Sequence, residues 1–67
     1  MRYLYVETEG AYNFEVEIGE HDTRPDATIV MDWLRDVQSQ GMYWHEEDKA
    51  GFPWHSIVQV TLKKRNA

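Results

Sequence analysis

Tyr12-Asn13-Phe14-Glu15-Val16-Glu17-Ile18 alternates apolar and polar residues over seven positions without an error. Strand side chains point to opposite faces with a period of two, so this segment puts Phe14, Val16 and Ile18 on one face and Asn13, Glu15 and Glu17 on the other. Upstream, Arg2 to Glu7 is a short Tyr/Leu/Val run of the same kind. Thr8-Glu9-Gly10 between them reads as a turn, with Gly10 able to take the left-handed conformation. A three-residue loop pairs Leu4 with Phe14 and Val6 with Tyr12. A two-residue Glu9-Gly10 turn would instead set Tyr5 opposite Phe14 and point Leu4 and Val6 outward, because a one-residue slip flips a strand. The three-residue loop is the expected arrangement, and it gathers Tyr3, Tyr5, Glu7, Glu15 and Glu17 on the second face.

From Thr23 onward the period changes. Ile29, Val30, Trp33, Leu34 and Val37 recur at helical spacing, with Asp32, Arg35, Asp36 and Gln38 between them, which predicts one amphipathic helix within Thr23 to Gln40 and burial of Trp33 and Leu34. Asp22 or Thr23 is the expected N-cap, Pro25 suits the first turn, and Asp26 lies near the positive end of the helix dipole. Gly41 is the natural stop, and Ala27 and Met31 fall at the edge of the buried stripe. Met42 to Glu46 reads as a third strand and His55 to Lys63 as a fourth. In the fourth, Val58, Val60 and Leu62 share one face and Ile57, Gln59, Thr61 and Lys63 the other. Glu47 to Pro53 joins these strands, with Gly51 and Pro53 as turn residues. The expected fold is α+β: a four-stranded, mostly antiparallel sheet with one helix on one face, in the order β-β-α-β-β. A single helix covers only one face of a sheet, which leaves the other to solvent, a partner or a second copy.

The chain has 67 residues, consistent with a single small domain over residues 1–67. A chain of this size buries roughly 60% of the surface its unfolded form exposes, too little to enclose a deep catalytic pocket. There is no cysteine, so packing of its three Trp, four Tyr and two Phe must supply the stability. Arg2-Tyr3-Leu4-Tyr5-Val6 lacks the apolar core of a signal peptide, so a cytoplasmic location is expected. The elements fill the sequence from near Met1 to Lys64, so the chain reads as a complete short gene product with Arg65-Asn66-Ala67 as tail.

Charge is segregated along the sequence. Met1 to Asp48 holds all 12 Asp and Glu against Arg2, Arg24 and Arg35, a balance of −9, while Lys49 to Ala67 carries Lys49, Lys63, Lys64 and Arg65 and no acid, a balance of +4. A polarity of this kind points to a charged macromolecular partner. The acidic hairpin with Glu7, Glu15 and Glu17, extended by Glu9, Glu20, Asp22, Asp26, Asp32 and Asp36, presents a field that attracts a basic surface; ordinary solubility is the plainer explanation of the same residues. Met42 to His55 concentrates rings, and Phe52 and Trp54, in or beside the predicted loop, are the expected contact anchors there. The plainer reading of these rings puts Trp44 and either Phe52 or Trp54 in the core. Tyr3 and Tyr5 are the expected anchors on the open sheet face.

Other chemistries lack a pattern. His21, Asp22, His45, Glu46, Glu47, Asp48 and His55 supply potential ligands, but no HExxH or comparable spacing, so no metal is expected. There is no Cys nucleophile, no Gly-rich phosphate loop and no Ser in a nucleophile elbow, and neither a catalytic residue nor a cofactor is expected. Lys63, Lys64 and Arg65 with Tyr3 and Tyr5 form an alternative surface for nucleic acid or a nucleotide, against which the net charge of −5 counts. In size, acidity and cysteine-free α+β pattern the chain resembles the small inhibitor proteins that bacteriophages encode against host defence or nucleic-acid enzymes. That resemblance is one of composition, and it implies stoichiometric binding to a protein without turnover. The expected function is a non-enzymatic inhibitor or adaptor that engages a basic surface of a nucleic-acid-handling protein. The alternatives are a nucleic-acid module and a structural homodimer.

Overall fold

A computed structural model describes residues 1–66. Five strands and one helix follow one another as β1 (Arg2–Thr8), β2 (Asn13–Glu17), α1 (Asp26–Gln40), β3 (Met42–His45), β4 (Ala50–Pro53) and β5 (Ile57–Lys64), with a 3₁₀ turn at Trp54–Ser56. The α+β class, the antiparallel pairing and the single helix are as the sequence predicts. The strands are divided between two sheets, one of three strands in the order β2-β1-β5 and one formed by the β3-β4 hairpin. Ala50–Pro53, expected as loop, is the extra strand, and its partner across the hairpin begins at Met42 opposite Pro53.

The first hairpin keeps the expected faces in a different register. Val6 stands opposite Phe14 and Leu4 opposite Val16, a shift of two from the predicted pairing. The reversal sits one residue later on each strand: Gly10 (φ 83) and Ala11 (φ 64) both take left-handed backbone, and the Thr8 N–H donates to the Tyr12 carbonyl at 3.2 Å. An even shift preserves the side-chain alternation. Leu4, Val6 and Phe14 are therefore buried, and Tyr3, Tyr5, Glu7, Glu15 and Glu17 occupy the opposite face.

On the far side of β1 the pairing with β5 runs Leu4 to Leu62 and Val6 to Val60, then breaks between Glu7 and Thr8, where Thr8 meets Ile57. That bulge corrects the predicted phase of the last strand. Ile57 turns toward the core, and Val58 turns out to 64% exposure instead of joining Val60 and Leu62. Arg65, expected as tail, continues the ladder through its N–H on the Met1 carbonyl at 2.7 Å, and Ala67 of that expected tail lies outside the described residues.

Helix α1 starts without the expected side-chain cap. Pro25 holds the N-cap position, its carbonyl accepting the Ile29 N–H at 3.1 Å, and neither Asp22 nor Thr23 caps the first turn. The Asp22 carboxylate is already taken by the Arg24 N–H at 3.1 Å and the Arg24 guanidinium at 2.5 Å. Arg2 fastens this corner to β1 by donating to the carbonyls of Asp22 and Arg24 and pairing with Asp26 at 3.0 Å. At the other end Gly41 adopts φ 85 and donates to the Val37 carbonyl at 2.8 Å, the left-handed stop the sequence predicts. Ile29 and Val37 are the buried helix residues; Trp33 and Leu34, expected to be buried, are half-buried, and Ala27 and Met31 are exposed.

The core joins Leu4, Val6 and Phe14 of the large sheet to Ile29 of the helix and Phe52 of the small hairpin. Phe14 is the joint. It stacks on Phe52 with ring centroids 4.4 Å apart and on Tyr43 at 5.5 Å, and His45 leans on it at 4.9 Å. Helix and hairpin thus share one face of the three-stranded sheet, and among the described residues the other face carries no layer. No helix among the described residues is long and apolar enough to cross a membrane.

Candidate functional site

The uncovered sheet face is graded across its width. In successive rows β2, β1 and β5 present Glu17, Tyr3 and Lys63, then Glu15, Tyr5 and Thr61, then Asn13, Glu7 and Gln59. Acids line one side, tyrosines the middle, and cations one corner. The tyrosine rings are not bare. The Lys63 ammonium lies 4.6 Å from the Tyr5 ring centre and the Arg65 guanidinium 4.3 Å from that of Tyr3, both within cation–π range. Asn13 donates to the Tyr5 hydroxyl at 2.8 Å, and Arg65 pairs with Glu15 at 2.7 Å, a contact that raises the Arg65 pKa.

The same self-satisfaction holds for every basic side chain. Arg2 pairs with Asp26, Arg24 with Asp22 and Asp32, Arg35 with Asp32, Lys49 with Glu46, Lys64 with Asp26 and Arg65 with Glu15, while Lys63 rests on Tyr5. Glu7, Glu9, Glu17, Glu20, Asp36 and Glu47 have no such partner among the described residues. The net negative charge is therefore carried by identifiable carboxylates, with Glu7, Glu9 and Glu17 together on the β1-β2 hairpin.

Beside the acidic edge lies a cleft of about 240 Å³ between β2 and β3, lined by Glu15, Val16, Glu17, Tyr43, His45, Glu46 and Glu47. That volume falls below the roughly 300–1,000 Å³ of small-molecule pockets, and suits one long side chain better. His45 fixes the two walls. It is 7% exposed, and its Nε2 stands 3.1 Å from the Glu15 carbonyl. Its Nδ1 is 3.2 Å from an Asp48 carboxylate oxygen without hydrogen-bond alignment, and that oxygen instead accepts from the Tyr12 hydroxyl at 2.9 Å. The bond to Asp48 raises the Tyr12 pKa, and burial raises that of Tyr43. Glu46 is held below the usual carboxylate range by the Trp44 indole N–H at 2.7 Å and then by Lys49.

The expected anchors in the second hairpin are redistributed. Phe52 is 8% exposed, a core ring rather than a contact residue, because β4 turns it onto Phe14 and Tyr12. Trp54 is half-buried in the 3₁₀ turn, its N–H donating to the Gly41 carbonyl at 2.9 Å. Trp44, a core ring in the plainer reading, is 51% exposed, on the outer hairpin face with Met42. The two cross over Gly51, where a Cβ would meet Met42 Cε at 2.5 Å. Strict alternation over Met42–His45 offers the signal that was missed: one of the pairs Met42/Trp44 and Tyr43/His45 must face out, and the partner that draws His45 inward is a backbone carbonyl thirty residues away. Among the described residues no group of three or more His, Asp or Glu is arranged to hold a metal ion. No protein-family model matches the chain, and neither a curated protein nor a solved structure is significantly similar to it.

Proposed function

We propose that this protein is a non-enzymatic, stoichiometric binding module, an inhibitor or adaptor whose acidic β1-β2 edge engages a basic surface of a nucleic-acid-handling protein. The observation that carries the reading is the asymmetry of charge satisfaction: each Lys and Arg side chain has a partner within the chain, while Glu7 and Glu9 on the β1-β2 hairpin and Glu17 and Glu47 lining the cleft have none among the described residues. Unpaired carboxylates on a folded surface attract an incoming cationic patch without first breaking internal contacts. The cleft gives one lysine or arginine side chain of the partner a place to enter, and exposed Trp44 offers an aromatic anchor on the hairpin that forms its other wall. The alternative of nucleic acid on the open sheet face is weakened by the same contacts, since Lys63, Lys64 and Arg65 would have to leave Tyr5, Asp26 and Glu15 to neutralise phosphates.

Affinity capture from the native host with mass spectrometry identifies the partner, and surface plasmon resonance across a salt series measures the mechanism. Glu17→Lys combined with Glu7→Lys slows association, as does added salt on the wild type, whereas Trp44→Ala raises the dissociation rate about 30-fold, the equivalent of a 2 kcal/mol hot spot. Association indifferent to salt and to both charge reversals would sink the proposal. Tight binding of the isolated chain to single-stranded nucleic acid would replace it with the alternative.

A further inference from the structure

The two edges of the three-stranded sheet are unequal. Along β2, the small hairpin stands against the edge, with His45 on the Glu15 carbonyl. Along β5, the longest strand at eight residues, no strand pairs with the far side among the described residues. The direction of its backbone groups follows from the ladder. Met1 and Arg65 exchange hydrogen bonds in both directions, at 3.1 and 2.7 Å, so Lys63, Thr61 and Gln59 also turn their N–H and C=O groups toward β1. Val60, Leu62 and Lys64 turn theirs away, leaving a row of unpaired donors and acceptors. Apolar surface accompanies this edge: Val60 and Leu62 are only half-buried, and the bulge leaves Val58 64% exposed.

We propose that this edge docks a second copy of the same chain, β5 antiparallel to β5 about a two-fold axis at Thr61, forming one six-stranded sheet. The outward groups lie on even-numbered residues, so even must oppose even. Centring on Thr61 sets Val60 against Leu62 of the second copy and Gln59 against its Lys63. Each apolar pair occurs twice, no two lysines face each other, and the paired stretch from Gln59 to Lys63 stays clear of the bulge. Lysines at an edge ordinarily discourage pairing. Here Lys63 is already held over the Tyr5 ring and Lys64 is drawn toward Asp26, so both ammonium groups are turned back onto their own chain rather than out along the edge. Obstruction of β2 makes the assembly closed, because the sheet cannot grow from its other side and the self-complementary contact ends at two chains. The acidic edges then sit at the two ends of the sheet, so the inference stands or falls independently of the partner proposed above.

Sedimentation equilibrium of the intact chain gives a mass approaching twice 8.0 kDa as concentration rises through the micromolar range. Thr61→Cys adds a single thiol to a cysteine-free chain at the axis, where residues in a non-hydrogen-bonded antiparallel pair have Cα atoms about 4.5 Å apart, inside the disulfide range of about 4.4–6.8 Å. It forms a disulfide-linked dimer much faster than Gln38→Cys, an exposed position on the helix. Gln59→Lys sets an ammonium against Lys63 of the second copy, twice across the axis, and raises the dimer dissociation constant about tenfold or more with unchanged circular dichroism. A wild-type monomer at millimolar concentration overturns the proposal. So does a dimer that ignores Gln59→Lys and in which Thr61→Cys crosslinks no faster than Gln38→Cys.

Discussion

Replacing Phe14 by Ala should undo the connection between the two sheets, because this one ring packs on Tyr43, Phe52 and His45 at centroid distances of 5.5, 4.4 and 4.9 Å. Phe14 is 5% exposed, so its truncation removes a whole buried side chain and leaves a cavity walled by three rings that cannot all follow. Core Phe→Ala changes cost about 3–5 kcal/mol, and the poor prospects for collapse put this one near 4. A chain of 67 residues has a total stability of about 3–10 kcal/mol. With a urea dependence of about 1 kcal/mol per molar, the loss lowers the midpoint by roughly 4 M and leaves the variant partly or wholly unfolded in water. Urea titration followed in parallel by tryptophan fluorescence and far-ultraviolet circular dichroism tests this, since Trp44 and Trp54 report on the small hairpin and its exit while the helix dominates the dichroism. Phe14→Leu, which keeps most of the volume, serves as the control and costs under about 1.5 kcal/mol. A cooperative Phe14→Ala transition displaced by less than about 1 M would refute the role assigned to this ring.

Gly41→Ala should destabilise by about 1–2 kcal/mol in thermal or urea unfolding, through its backbone alone, because φ is 85 while nothing lies within 4 Å of the added Cβ; an unchanged midpoint contradicts a left-handed helix stop there. Asp22 should titrate at about pH 2 instead of its ordinary 3.8, chiefly because the Arg24 guanidinium and then the Arg24 N–H hydrogen-bond its carboxylate. Since the folded value is the lower one, its contribution to stability is complete above pH 3.8 and is lost as pH falls through about 2; a carboxyl-carbon resonance of Asp22 moving with a midpoint near 3.8 would refute the pairing.

What the sequence made legible was parity. Tyr3, Tyr5, Glu7, Glu15 and Glu17 share a face because a period of two allows nothing else once Phe14 and Leu4 are buried, and an even error in register leaves that assignment intact. The register itself escaped, since the turn depends on Ala11 accepting left-handed backbone, which residue type alone argues against. Val58 was misplaced because one extra residue at the Ile57 bulge inverts the alternation locally, and nothing within His55 to Lys63 marks the spot. The second hairpin misled for another reason: Gly51 and Pro53 are turn residues by propensity, yet Gly51 serves a strand because Met42 and Trp44 need the room above it. At the candidate site, the acids were readable, but the attachment of Lys63 to Tyr5, Arg65 to Tyr3 and His45 to Glu15 joins residues 58, 62 and 30 positions apart.

The central place of β1 has a consequence in time. It is the first of the described strands to leave the ribosome, and its partner β5 is the last, with Arg2 waiting for Lys64 and Leu4 for Leu62. During that interval β1 can pair only with β2, and a lone two-stranded hairpin is marginal in water. Leu4 and Val6, the side chains destined for the deepest burial, remain without their final cover until β5 has been made. Closing so distant a contact ties folding to the arrival of β5 and slows it relative to a fold built from neighbours, so the nascent chain passes through a stage in which its own middle strand is its most adhesive surface.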